Sequence, residues 1–316
     1  MKKRQLGNSS LEIFPLAFGG NVFGWTVDEP TSFSLLDAFL GIGGNLVDTA
    51  DYYSRWHSGH IGGESETIIG SWMKKRGNRD KVILATKVGS DMGLGKKCLS
   101  KNYIIESVEK SLKRLQTDYI DLYQSHFDDI TTPVGETLEA YAELLKQGKV
   151  RVIGASNFSR ERLLESLSFS AQNDLPRYES FQPEYNLYSR ETFEQEYVPI
   201  CREFNVGVIS YFALASGFLT GKYRTDQDTS KSVRGGSMGK YMNERGMKII
   251  NALDEVSEKY KTSVTAVALT WVIARPTIIA PIVSATSIEQ FGQIASAVNL
   301  ELDAPSIELL NHASSY

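Results

Sequence analysis

The sequence predicts an α/β fold: a (β/α)8 TIM barrel with an N-terminal β-hairpin and extra helices, filling 1–316 as a single barrel domain. Two observations carry this. Eight short apolar runs alternate with amphipathic stretches along the whole chain, with no linker-like composition between them, as parallel strands covered by helices require. No dinucleotide fingerprint follows any run, since Gly19-Gly-Asn-Val-Phe-Gly24 has the wrong spacing for GxGxxG, which argues against an open doubly wound sheet. Gly217-Phe-Leu-Thr-Gly221-Lys222 falls one residue short of a phosphate loop, and Tyr223 stands where that loop needs Ser or Thr.

In chain order, 4–6 and 11–14 flank the turn residues Gly7-Asn-Ser-Ser10 as a hairpin, and 15–18 is a buried strand ending at Gly19-Gly20. A helix starts near Pro30 with Thr31 as its cap, carries Phe33, Leu36 and Leu40 on one face, and ends at Gly41 to Gly44. Strand 46–47 follows and runs into Asp48. Helix 66–73, strand 82–87, helix 103–115, strand 120–126, helix 133–145, strand 150–156, helix 160–167, strand 178–182, helix 193–204 and strand 206–211 continue the alternation. Residues 224–240, rich in Asp, Ser, Gly and Lys without periodicity, read as a long loop. Helices 247–260 and 264–273, strand 278–283, helix 288–298 and helix 305–312 complete the chain.

Composition narrows the function classes. A net charge of −4 offers no electrostatic case for nucleic acid or an anionic membrane. No apolar run reaches the roughly 18 residues of a membrane span, and Lys2-Lys3-Arg4 is not followed by an apolar signal region. Cys98 and Cys201 lie far apart and in no CxxC pattern, which suits a reducing cytoplasm. The expected partner is a small molecule, and no sequence feature sets an oligomeric state. His57 and His60 lie three apart but lack a third ligand, so no metal site is expected.

The polar residues at the strand ends are the candidates for chemistry. In a barrel the C-terminal strand ends converge on one mouth, where active sites sit. Those ends carry Asp48 with Tyr53 on the following loop, then Lys87, then His126. A tyrosine with a pKa near about 10 is a poor acid at neutral pH, and a neighbouring ammonium should pull it down. A carboxylate beside the ammonium would hold it, and a histidine beside the phenol could orient a substrate oxygen. This set suits proton exchange at a carbonyl or alcohol oxygen and needs a separate hydride donor, hence an organic cofactor. Trp25, Trp56, Phe127 and Phe212 are candidate pocket walls, Glu66 reads as structural, and Asp128-Asp129 as a solvated loop.

Asp48-Thr-Ala-Asp-Tyr-Tyr53, Thr86-Lys87, Tyr123-Gln-Ser-His126, Gly154-Ala-Ser-Asn-Phe158 and Phe181-Gln-Pro-Glu-Tyr-Asn186 together resemble the aldo-keto reductase superfamily, in the right order along the chain. The resemblance implies an enzyme that binds NADP(H), with NAD(H) as the alternative, and reduces an aldehyde, ketone or aldose. It implies Tyr53 as general acid, Lys87 lowering its pKa, Asp48 pairing with Lys87 and His126 positioning the carbonyl. It further implies that Ser156, Asn157 and Gln182 hold the nicotinamide carboxamide, that Tyr211 stacks under the ring, and that 213–222 wraps the pyrophosphate. The implied cofactor set is Gly20, Asn21, Asp48, Ser156, Asn157, Gln182, Tyr211, Ala213, Leu214, Ser216, Gly217, Leu219, Gly221, Lys222, Ser284, Thr286 and Gln290.

The chain departs from the family pattern at two places. Ala213 stands where relatives often have Pro. The loop 284–290 lacks the Lys or Arg that NADP-specific relatives place near Thr286 or Ser287, and Ile294 replaces Asn. Lys222, Arg224 or Arg234 are the candidate substitutes for that charge. The alternatives to a reductase are a sugar 1-dehydrogenase running the oxidation and a non-catalytic, cofactor-sensing regulatory subunit.

Overall fold

A computed structural model describes residues 2–231 and 235–316. A short antiparallel pair, β1 (Arg4–Gln5) and β2 (Glu12–Ile13), precedes eight further strands. These are β3 (Ala17–Gly19), β4 (Leu46–Asp48), β5 (Ile83–Val88), β6 (Ile120–Ser125), β7 (Val150–Ser156), β8 (Ser180–Gln182), β9 (Gly207–Ser210) and β10 (Ile278–Val283). They close into a parallel barrel in the order β10-β3-β4-β5-β6-β7-β8-β9, the (β/α)8 fold expected from the alternation.

Among the described residues ten α-helices accompany the strands: α1 (Glu29–Gly41), α2 (Glu64–Arg76), α3 (Lys101–Leu115), α4 (Val134–Lys146), α5 (Arg160–Asn173), α6 (Val198–Glu203), α7 (Glu244–Tyr260), α8 (Val264–Ile273), α9 (Ile288–Ala295) and α10 (Ala304–Ala313). Among the described residues, no helix is long and apolar enough to cross a membrane. Four expectations needed correction. The cap of α1 is Asp28, whose Oδ1 accepts the Thr31 N–H at 3.0 Å, with Pro30 in the first turn, rather than Thr31 itself. The helix expected over 193–204 is a π turn, Phe193–Tyr197, followed by α6, because Pro199 supplies no N–H to continue the regular ladder. The long loop holds 3-10 turns at Asp226–Lys231 and Gly235–Lys240, and α9 passes into another at Ser296–Asn299.

Alternation along the strands decides what enters the barrel. One apolar cluster gathers Ala17, Leu46, Ala85, Leu122, Val152, Ile209 and Ala280, one residue from each of seven strands, with Leu6, Leu11 and Ile13 of the hairpin. Their neighbours Phe18, Val47, Leu84, Tyr123, Ile153 and Val208 belong to the other cluster, packed among the helices. Side chains two residues apart on a strand share a face. The next inward positions above Leu46, Ala85 and Leu122 are therefore Asp48, Lys87 and Gln124, and His126 follows. The hairpin fills one end of the barrel with Leu and Ile, and a polar layer caps that apolar plug at the other.

Helix α2 fixes the outside of this layer. Glu66 is fully buried and accepts from Thr86 Oγ1 at 2.6 Å and from Arg114 at 2.6 Å, tying α2 to β5 beside Lys87 and to the end of α3. Gly70 permits this close approach, since a Cβ there would stand 2.3 Å from Arg114 O and 2.7 Å from the Leu115 carbonyl carbon. Gly70→Ala should therefore destabilise the chain by about 1–3 kcal/mol in urea unfolding, against the propensity gain of about 1 kcal/mol for Ala over Gly. An unchanged or raised midpoint would show that α2 can move off α3 freely.

Candidate active site

Asp48, Tyr53, Lys87 and His126 meet at the C-terminal mouth of the barrel. Lys87 Nζ donates to Asp48 Oδ2 at 2.6 Å, to Tyr53 Oη at 2.8 Å and to Thr49 O at 2.9 Å. The Lys87 and Asp48 side chains are 0% and 2% exposed. Asp48 Oδ1 accepts from Gln182 Nε2 at 2.9 Å and from Gln124 Nε2 at 3.1 Å, so both carboxylate oxygens are engaged. The Tyr53 hydroxyl reaches Asp48 Oδ2 only at 3.4 Å, and its ring stands edge-on to His126 at 6.0 Å. Ser90 Oγ lies 2.9 Å from His126 Nδ1, and Phe127 stacks on the imidazole at 4.8 Å.

The electrostatics differ from the sequence expectation in one respect. The Tyr53 phenol is not lowered but pushed well above its ordinary value, by burial first and then by the Asp48 carboxylate. Desolvation outweighs the ammonium that touches it. Burial likewise lowers Lys87, although Asp48 pulls the other way. The His126 imidazole is held well below its usual range by burial, Lys87 and Lys97. The resting site therefore presents a protonated phenol and a neutral imidazole. If Ser90 donates to Nδ1, the imidazole keeps its hydrogen on Nε2.

A cavity of about 920 Å3 opens above this layer, lined by Asp48, Tyr53 and His126. Lys87 stands behind them, fully buried. Of the expected cofactor residues, Asn21, Ser156, Asn157, Gln182, Tyr211, Ala213, Leu214, Ser216, Gly217, Lys222, Ser284, Thr286 and Gln290 line the same cavity. Gly20, Leu219 and Gly221 do not. A Cβ at Gly20 would meet Ser65 Oγ at 2.7 Å, Leu219 is core, and Gly221 caps the 3-10 turn Ala215–Thr220 with φ of 77°. Trp25, Trp56, Phe127 and Phe212 form part of the wall, Trp25 edge-on to Trp56 at 5.5 Å. Gly19, Thr265, Ile282 and Gln293 also line it and were missed, because no local pattern brings the start of α8 and the second half of α9 to the mouth.

These walls suit a nucleotide with an amide-bearing ring at one end. Tyr211 Oη donates to Asn157 Oδ1 at 2.9 Å, Asn157 Nδ2 donates to His126 O at 2.9 Å, and Ser156 Oγ donates to Gln182 O at 2.8 Å. Gln182 spends its amide nitrogen on Asp48 and Gln124, which leaves its carbonyl oxygen for a ligand donor. Asn157 itself adopts φ of 53°, a left-handed conformation that Asn tolerates. Ala215, Ser216 and Gly217 follow one another at φ of 48°, 57° and 100°, and a Cβ on Gly217 would lie 3.6 Å from Lys222 Nζ. Successive positive-φ residues beside an ammonium make a concavity of the kind that binds phosphate.

At the far wall, Thr286 donates through both N and Oγ1 to Gln290 Oε1 at 3.0 Å, and Ser284 Oγ donates to Gly19 O at 2.7 Å. Among the described residues that line the cavity, Lys222 is the only Lys or Arg. Arg224 is committed to Asp254 and to Gly221 O. Arg234 lies outside the described residues.

Asp128 and Asp129 are structural rather than solvated. Asp128 accepts from Arg162 Nε at 2.9 Å, and buried Asp129 accepts from Leu99 N, Thr131 and Thr132, bonds that hold its carboxyl down at about 2. The two pin the loop after His126. His57 and His60 pack ring to ring at 4.8 Å, and no cluster of three metal-ligating residues occurs among the described residues.

Asp51, between Asp48 and Tyr53, carries an unforeseen charge problem. It is buried, and its Oδ1 has no hydrogen-bond partner among the described residues. Burial, then the Glu66 carboxylate, push its carboxyl up to about 8. Unfolded, it ionises near about 4. Between those values the folded chain keeps a proton that the unfolded chain has lost, so its contribution is fully present below about 4 and is lost as pH rises through about 8. Asp51→Asn should raise the thermal midpoint, and more at pH 8 than at pH 5. An equal gain at both would exclude Asp51 as the titrating group.

Comparisons with known proteins agree with this geometry. The model of the Aldo/keto reductase family matches residues 15–314. The chain is 35% identical to the uncharacterized oxidoreductase YrpG of Bacillus subtilis, over 98% of this chain and 95% of that protein. It is 37% identical to the aldo-keto reductase YhdN of Bacillus subtilis, over 82% of this chain and 76% of that protein. It is also 31% identical to a probable voltage-gated potassium channel subunit beta of Oryza sativa subsp. japonica, over 95% of this chain and 92% of that protein. A match of this extent, on a barrel of this topology, makes the chain a member of the aldo/keto reductase family.

Proposed function

We propose that the protein reduces aldehydes and ketones with NAD(P)H, Tyr53 giving its proton to the carbonyl oxygen. The observation that carries this reading is the phenol at the cavity wall backed by a buried ammonium at 2.8 Å. A bound nicotinamide dinucleotide supplies the hydride. Ser156, Asn157 and Gln182 are the residues to hold its carboxamide, Tyr211 its ring, and Lys222 with the turn Ala215–Thr220 its phosphates.

Within the chain, the roles separate by protonation state. Tyr53 rests fully protonated, as a donor must. As its proton leaves, the forming phenolate faces Lys87, and the attraction is largest at that moment because the pair is dry. Asp48 holds Lys87 in line. His126, neutral, directs a ring N–H at the carbonyl oxygen. Run backwards, the same groups take the proton from an alcohol, which is the sugar 1-dehydrogenase alternative.

NADPH consumption against a panel of small aldehydes tests the reading. Tyr53→Phe should lower the rate by about 100- to 10,000-fold. Asp48→Asn should lose on the order of a hundredfold by letting Lys87 drift, yet remain a detectable reductase. A wild type inert on every carbonyl and alcohol would end the enzyme reading, and full activity in Tyr53→Phe would end the role given to Tyr53. The similarity to the rice channel subunit favours a second reading, a non-catalytic subunit that binds the nucleotide, and Tyr53-dependent turnover separates the two.

NADP(H) is the family's default, but the loop 284–290 carries no Lys or Arg of its own to make a charge-assisted contact near Thr286 and Ser287. Such a contact contributes about 1.5–3 kcal/mol. We therefore expect NADPH and NADH to bind within about tenfold of each other in fluorescence titration. NADPH tighter by more than about a hundredfold would mean that a cation reaches the 2′-phosphate after all.

A further inference from the structure

A second cavity of about 660 Å3 shares Asn157 and Tyr211 with the first and is otherwise walled by different residues. Its volume falls within the roughly 300–1,000 Å3 of small-molecule sites. Much of its wall is aromatic: Phe158, Phe181, Tyr188, Phe193 and Tyr197, with Phe181 stacked on Tyr197 at 4.9 Å. Glu184 also lines it, on the loop after β8, where its backbone bridges to Tyr211. Glu184 Oε1 is buried and has no hydrogen-bond partner among the described residues. An unanswered carboxylate oxygen in a protein wall is costly, and a site that keeps one needs an explanation.

The two arginines of the cavity do not answer it. Arg190 is committed to Glu194 through Nε and Nη2 and to Ser314 Oγ through Nη1. Arg245 donates to the carbonyls of Tyr188, Ser314 and Ser315. Neither arginine therefore hydrogen-bonds Glu184, whose carboxyl acts on the shared wall: Tyr211 is pushed up to about 12 by burial first and by Glu184 next. Aromatic faces beside a carboxylate are the surroundings that recognise an ammonium, through hydrogen bonds to the oxygen and cation–π attraction to the rings.

We infer that this cavity binds a small primary amine with an aromatic body, its ammonium on Glu184 and its body against the aromatic wall. The site is separate from the proton-transfer groups, so it stands whether or not the chain turns over carbonyls. Because Tyr211 hydrogen-bonds Asn157 and both residues line both cavities, an amine bound here touches the wall of the larger one.

Benzylamine, benzyl alcohol and benzoate share one ring and differ in the charge of the head. Calorimetric titration of the full chain at pH 7 should find benzylamine at least about tenfold tighter than the other two. Glu184→Gln should erase that preference. A preference that survives in Glu184→Gln, or benzoate binding as well as benzylamine, overturns the inference. A benzylamine-soaked crystal gives a check that needs no variant: the ring is expected between Phe181, Tyr197 and Glu184, and density in the larger cavity alone overturns the assignment.

Discussion

Everything at the mouth depends on one buried ion pair. Lys87 and Asp48 sit at 2.6 Å inside the barrel with almost no exposure. Burying two charges carries a penalty of several kcal/mol for each ion, so the pair adds little net stability. It persists because its remaining hydrogen-bonding capacity is met by Thr49 O, Tyr53, Gln124 and Gln182. Those partners lie on β6, β8 and the loop after β4, so placing one ammonium fixes several barrel elements in register. The apolar plug below makes this affordable only in the closed barrel, where no water competes for the ammonium.

The pair also sets the protonation of its surroundings. Around it, each titratable group with a resolved shift is driven toward its neutral form. Tyr53 keeps its proton, His126 loses its second, and Asp51 holds on to one up to about 8. Burial is the first cause in every case. A mouth with one fixed ion pair and neutral donors around it can pass a proton to a substrate oxygen without first rearranging charge. Another pair, buried Glu66 with part-buried Arg114, lies on the helix side and braces β5 through Thr86.

The barrel and the proton-transfer groups were legible because each rests on a short-range pattern. An apolar run of three to six residues ending in a polar one is visible without knowing the partner strand, as at Leu46-Val47-Asp48 or 120–126. The inward phase of Leu46 and Asp48, or of Ala85 and Lys87, follows from period two. What stayed hidden depends on tertiary contact. Asp129 looks like any loop acid until Leu99, Thr131 and Thr132 close over it. Thr265 at the start of α8 and Gln293 in the second half of α9 reach the cavity only once the two helices pack into the fold. The direction of the Tyr53 shift needed burial, since the sequence shows the ammonium and not the missing water.

Tyr211 carries this logic beyond the proton-transfer groups. It stands between the two cavities, held by Asn157 on one side and by its bridge to Glu184 on the other. Two backbone positions near it are left-handed: Asn157 at φ of 53°, which Asn tolerates, and Phe212 at φ of 52°, which costs an aromatic residue about 1–2 kcal/mol. Strain of this kind survives where surrounding contacts over-determine the backbone. Here the contacts are the hydrogen bond from Asn157 to His126 O and the one from Asn186 to Phe212 O. The aromatic wall of the larger cavity is thus tied through Asn157 to the backbone carbonyl of His126.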